Sequence, residues 1–110
     1  MNTHDRGVTL FEFQTLVNMT SAEIENRISG LHTTSIDRRL GKRIQELQQK
    51  ELLQLDEHDL SHMRSVVHFL RRHLSQCPEN PFEKSAWENT LKNWGHHPNR
   101  SSISSQQRSA

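Results

Sequence analysis

Cysteine is almost absent from this 110-residue chain, Cys77 being the only one. An internal disulfide is therefore excluded, and a reducing compartment is the simpler expectation. Long apolar runs are missing too. No stretch approaches the roughly 18 residues of a membrane span, and the start MNTHDRGVTLFEF lacks the apolar core of a signal peptide. The expected setting is intracellular and soluble, in cytoplasm, nucleoid or nucleus, with no membrane partner. An excess of charge is lacking as well. Fourteen Lys and Arg against 13 Asp and Glu leave a formal net charge of +1, without the basic surplus usual in nucleic-acid-binding domains. Hydrophobic residues are only 31% of the chain, so one domain with a modest core is the natural count and much of the chain must be surface.

Signatures of catalysis are also wanting. The chain has no recognisable Ser-His-Asp or Cys-His context, no Gly-rich phosphate loop, no HExxH and no paired CxxC. Cys77 precedes a proline at an expected helix end, where the negative end of the dipole disfavours its thiolate. The expectation is a non-enzymatic protein without metal or cofactor. Eight histidines nevertheless make its charge sensitive to pH. His58 and His62 stand i, i+4, a spacing that can chelate, yet further ligands would have to come from Cys77 or from His96 and His97. Covering Phe69 and bonding to neighbouring polar groups is the plainer role for His58, His62 and His73.

What the sequence does contain is helix punctuation. The stretch Asp56–Gln76 predicts a long central helix over about 57–76, capped by Asp56 with Asp59 at the capping-box position. Leu60, Met63, Val66, Val67, Leu70 and Leu74 follow the spacing of one apolar face, while Phe69 falls opposite them near His58, His62 and His73. Further capping boxes occur in TLFE from Thr9, in TSAE from Thr20 and in SAWE from Ser85. They predict helix 1 from Thr9 to about Asn18, a short helix 2 ended by a left-handed Gly30, and helix 5 from Ser85 to Gly95. Helix 3 is expected from an N-cap at Ser35 to about Lys50, burying Ile36, Leu40, Ile44 and Leu47. Gly41 inside it implies either a close helix–helix approach or a later helix start. Leu52, Leu53 and Leu55 are expected to plug the following connection into the core. The reading is thus all-α: a compact domain of four to five helices over residues 9–98, with a flexible lead at 1–8 and a disordered tail at 99–110.

Two surfaces are candidates for function. Arg38, Arg39, Lys42 and Arg43 lie within six positions, and Arg38, Lys42, Gln45 and Gln49 share the polar side of helix 3. Cations of this kind neutralise phosphates, and Arg and Gln read base edges, so helices 2 and 3 form a helix-turn-helix-like pair suited to DNA. Arg64, Arg71 and Arg72 can extend that surface, although Arg64 and Arg71 flank the apolar arc and can instead pack by their aliphatic stems or form core-edge ion pairs. The alternative is a protein-interaction or self-assembly module using Trp87 and Trp94, which stand i, i+7 on one face of helix 5. The same two rings can instead lock helix 5 onto the Phe69 side of the central helix.

Four blocks, NMTSAEIE at 18–25, GKRI at 41–44, HMRSVVHFLRRHLSQCP at 62–78 and NWGHHP at 93–98, together resemble a small uncharacterised family of helical proteins, a domain of unknown function with some members labelled DNA-binding. The resemblance covers about residues 10–98. It implies a common helical fold and adds some weight to the nucleic-acid reading, but it transfers no catalytic residue. The family's last block is NWGHDP-like, and His97 stands here in place of the acid.

Overall fold

The structure, a computed structural model, describes residues 3–100. Among these are five α-helices, α1 (Thr3–Leu16), α2 (Ser21–Ile28), α3 (Ser35–Gln48), α4 (Glu57–Leu74) and α5 (Pro81–Asn93), with a 3-10 turn at Leu52–Gln54 and no strand. The all-α architecture around a long central helix is as the periodicity predicts. α4 supplies the largest share of the core, burying Leu60, Met63, Val66, Val67 and Leu70. α1 packs chiefly on α4 and α2 on α3, and α5 closes against both α4 and α3.

Local punctuation decided most boundaries. Thr20 caps α2 and Asp56 caps α4, each in a reciprocal capping box. Elsewhere stronger terms overrode it. α1 starts at Thr3, not Thr9, so residues 3–8 are its first turns. Thr9 is buried mid-helix, Arg6 donates to the carbonyls of Leu52 and Leu55, and Glu12 pairs with Arg71. A cap contributes about 1 kcal/mol, and these tertiary contacts outweigh it. α5 starts four residues before Ser85. Asn80 accepts from the amides of Phe82 and Glu83, with Pro81 at the first helical position, where its missing N–H and fixed φ are no handicap.

Gly30 is not a left-handed stop, because α2 ends through Ser29 in the right-handed region. The Arg27 carbonyl accepts from the Gly30 amide at 3.3 Å and from the Thr33 hydroxyl at 2.8 Å. α3 takes Thr34 rather than Ser35 as its N-cap. Gly41 marks a close approach: a Cβ there would stand 2.4 Å from Ile28 Cγ2. Two expected core residues are on the surface, Ile36 at 76% and Leu53 at 93% exposure. Ile36 stands in the first turn of α3 and Leu53 in the short 3-10 turn, and no other element covers either side chain. Of the expected tail, Asn99 and Arg100 are described, and Arg100 is tied to Glu23; residues 101–110 lie outside the described residues.

Candidate interaction site

The seam between α3 and α4 is organised by Asp59, a carboxylate only 2% exposed. It sits in the first turn of α4 because Asp56 accepts from its amide at 2.8 Å while Asp59 Oδ2 accepts from the Asp56 amide at 3.1 Å. Lys50 Nζ reaches the same carboxylate at 2.7 Å and Arg43 Nη2 at 2.8 Å. Burial pushes this carboxyl up, but the Lys50 hydrogen bond, the Asp56 amide and Arg43 outweigh it and hold it below the usual carboxylate range. Arg43 Nε also donates to His62 Nδ1 at 2.6 Å. A guanidinium cannot accept, so His62 carries its proton on Nε2 and is neutral in this bond. Burial, Arg43 and His58 all lower its pKa, in keeping with that state.

Beside this network lies an open cleft of about 260 Å³, lined by Arg39, Leu40, Arg43, Ile44, Leu47, His62, Ser65, Val66 and Trp94. Its floor is apolar and its rim carries Arg39, Arg43 and His62. The floor is rigid: Ile44 and Leu47 are buried core residues of α3, Val66 of α4. Trp94 is held by a stack of rings in which its centroid lies 3.9 Å from Phe69. Arg39 is exposed and makes no hydrogen bond or ion pair with any described residue. Ile36, one turn before Leu40 on the same face of α3, prolongs the apolar row onto open surface. By contrast, the clefts between α1 and α4 and beside the α2–α3 loop are lined largely by polar groups, and the apolar cleft of Leu10, Phe13, Val17 and Leu47 carries only Gln14 and Gln48 as polar side chains, with no charge.

The polar row of α3 borders α2 and does not stand clear of it. Arg38 Nε donates to the Ile28 carbonyl at 3.1 Å. Lys42 pairs with Glu25 at 3.2 Å, and Gln45 donates to the Ser21 carbonyl at 3.0 Å and to Glu25 at 3.2 Å. Gly41 is the reason, since without a side chain it lets α2 settle beside that row. Of Arg38, Arg39, Lys42 and Arg43, three are thus engaged within the fold and Arg39 remains free to reach outward. Arg71 is paired with Glu12, and Arg72 is exposed.

The two tryptophans do lock α5 in place. Rings stack in the order Trp94, Phe69, His73, Trp87, with successive centroids 3.9, 5.4 and 6.0 Å apart. Trp87 Nε1 donates to the His73 carbonyl at 2.7 Å. Both tryptophans are half-buried, and Trp94 also lines the cleft. His73 therefore lines the Phe69 side as expected, whereas His62 belongs to the Asp59 network, with His58 4.4 Å from it centroid to centroid. Among the described residues no group of three or more His, Cys, Asp or Glu is placed to hold a metal. His96 has its Nδ1 bonded to the Leu16 carbonyl at 2.6 Å.

The family model described as "Protein of unknown function (DUF3140)" covers residues 12–92. The chain belongs to the DUF3140 family. No curated protein and no solved structure matches it. The span matched in this DUF3140 chain holds α2, α3 and α4 entire, and so both walls of the cleft; Trp94 lies just beyond it.

Several structural residues of this DUF3140 protein escaped the sequence reading. The Asn18 side chain pairs both ways with the His97 backbone, donating to its carbonyl at 3.2 Å and accepting from its amide at 2.7 Å. Arg27 bridges α2 to α5 through Asn93 Oδ1 at 2.8 Å and the Asn89 carbonyl at 3.0 Å. Separations of 62 to 79 positions in sequence leave no local signal for such pairs. Asp59 as an ion-pair centre was hidden behind its capping role.

Proposed function

We propose that this chain is a non-enzymatic binding module that docks a protein partner on the α3–α4 face. The observation that carries this reading is the cleft itself, an apolar floor open to solvent between two rigid helices. Ile36 lies exposed at one end and Trp94 contributes to the floor. Apolar anchors in pockets of this kind dominate protein–protein affinity. The helix 5 aromatic face enters through Trp94, while Trp87 serves the ring stack. An intracellular setting accords with the exposed free thiol of Cys77.

DNA binding through Arg38, Arg39, Lys42 and Arg43 is the competing reading, and one pair of titrations separates the two. N-phenyl-1-naphthylamine, a neutral apolar dye, should brighten on binding the wild-type chain and fail to do so with Leu40→Lys. A labelled duplex should bind more weakly than about 10⁻⁴ M even at low salt. Tight, salt-dependent duplex binding that Lys42→Ala and Arg43→Ala weaken would overturn the protein-docking reading in favour of nucleic acid.

A further inference from the structure

We infer that the partner segment docked on the α3–α4 face is acidic, presenting one large apolar side chain to the cleft and an Asp or Glu carboxylate to Arg39. The inference rests on the docking reading and specifies the chemistry of its occupant. Size gives the first constraint. A cleft of about 260 Å³ lies below the roughly 300–1,000 Å³ of sites that enclose a whole small molecule. It suits a single anchoring side chain whose backbone stays outside.

Charge supplies the second constraint. The three polar side chains of the rim other than Ser65 are two arginines and a histidine. The charge of Arg43 is already answered by Asp59 at 2.8 Å and Glu46 at 3.4 Å, and its Nε is held by the neutral His62. Arg39 has no such answer among the described residues, and the buried Asp59 is itself doubly paired. The unbalanced charge at the mouth is therefore positive. Its fork of donors fits a carboxylate in two-point geometry. A cationic segment would set its charge against Arg39, and a purely apolar one would leave the guanidinium unused at the rim. Nucleic acid lacks the apolar anchor that the floor asks for; flat bases stack on aromatic rings, and one face of Trp94 is already taken by Phe69.

The probe is a fluorescein-labelled dodecapeptide of Asp, Glu and Ser with one central Trp, followed by fluorescence anisotropy. Two companions carry Ala for the Trp, or Asn and Gln for the acids. The full-length chain is used throughout, as wild type, Arg39→Gln and Leu40→Lys. Arg39 is exposed and unpaired, so its replacement leaves the core intact. The acidic Trp peptide should bind at least tenfold more tightly than its Ala companion, as an anchor residue implies. It should bind up to about fivefold more tightly than the amide companion, the upper end for one exposed ion pair. Arg39→Gln should remove that acid preference while leaving the amide peptide's affinity unchanged, and Leu40→Lys should abolish binding of all three.

Equal binding of the acidic and amide peptides, or an equal effect of Arg39→Gln on both, would overturn the acidic assignment and leave the docking cleft standing. Failure of every Trp peptide together with the neutral dye would overturn the docking reading itself. Displacement of the acidic peptide by duplex DNA from wild type but not from Lys42→Ala would return the surface to nucleic acid.

Discussion

Asp59 accepts from Lys50, from Arg43 and from the Asp56 amide while almost none of its surface meets water. Replacing it by Asn keeps the shape but leaves two cations facing a neutral amide. Breaking a buried pair from one side costs about 3–5 kcal/mol. Arg43 and Lys50 are partly exposed and can rehydrate, so Asp59→Asn should destabilise by about 2–3 kcal/mol in urea unfolding at pH 7. Glu23 sets a different pH dependence. The Arg100 hydrogen bond, with the Thr20 amide, lowers its pKa to about 2. A carboxyl depressed in the fold stabilises fully above its unfolded value, near 4.5, and loses that contribution as pH falls through its folded value near 2. Melting temperatures of wild type and Glu23→Gln should thus differ at pH 6 and converge at the acid end. A constant gap across that window would disprove the pairing with Arg100. His97 has its own constraint: burial and the nearby Arg100 and Lys92 disfavour its charged form, and its Nδ1 accepts from the Asn99 amide at 3.2 Å.

At the scale of elements, two competitions were decided against the local motif. Asn80→Ala should cost about 1 kcal/mol, whereas Ser85→Ala, inside α5 and exposed, should stay within about 0.5 kcal/mol; chemical denaturation of both settles where α5 begins. Gly41 poses the opposite question. Ala at an ordinary helix position gains about 1 kcal/mol over Gly, yet a Cβ here would overlap the buried Ile28. Overpacking of a tight core costs roughly 1–3 kcal/mol, so Gly41→Ala should destabilise. In an Ile28→Ala background the overlap is gone and the same change should become neutral or stabilising. Additive effects of the two substitutions would refute the close approach.

Much of this level was legible beforehand. Periodicity placed α2, α3 and α4, and the Thr20 and Asp56 boxes are where the motif predicts. Both misplaced starts share a cause. A capping box is a short-range signal, and Thr9 and Ser85 carry it in segments whose fate is set by Arg6, Asn80 and Pro81. The Asn-Pro pair before α5 was itself a readable start signal.

For the whole molecule, the chain closes on itself through polar contacts as much as through its core. The segment after α5 returns to the α1–α2 turn: the Gly95 carbonyl accepts from the Met19 amide at 3.1 Å, and Gly95 adopts φ +83 with Val17 so near that a Cβ would fall 2.9 Å from it. This closure carries Trp94 to the cleft, joining the C-cap residue of α5 to a site otherwise built from α3 and α4. Nothing local in the sequence linked residue 94 to residues 40 and 66, which is why the two candidate surfaces were read separately. The cations of α3 were legible as a cluster. Their engagement by Glu25, Asp59 and the Ile28 carbonyl depends on tertiary placement and was not.

The central claim is that the free binding face is the α3–α4 cleft, and chemical-shift mapping tests it most directly. Titrating the ¹⁵N-labelled chain with the acidic Trp peptide should move the amides of Leu40, Ile44 and Val66 and the Trp94 indole together. Signals of Lys42 and Phe82 should stay in place. Shifts centred on Phe82 and Trp87, or no shifts at millimolar peptide, would contradict it.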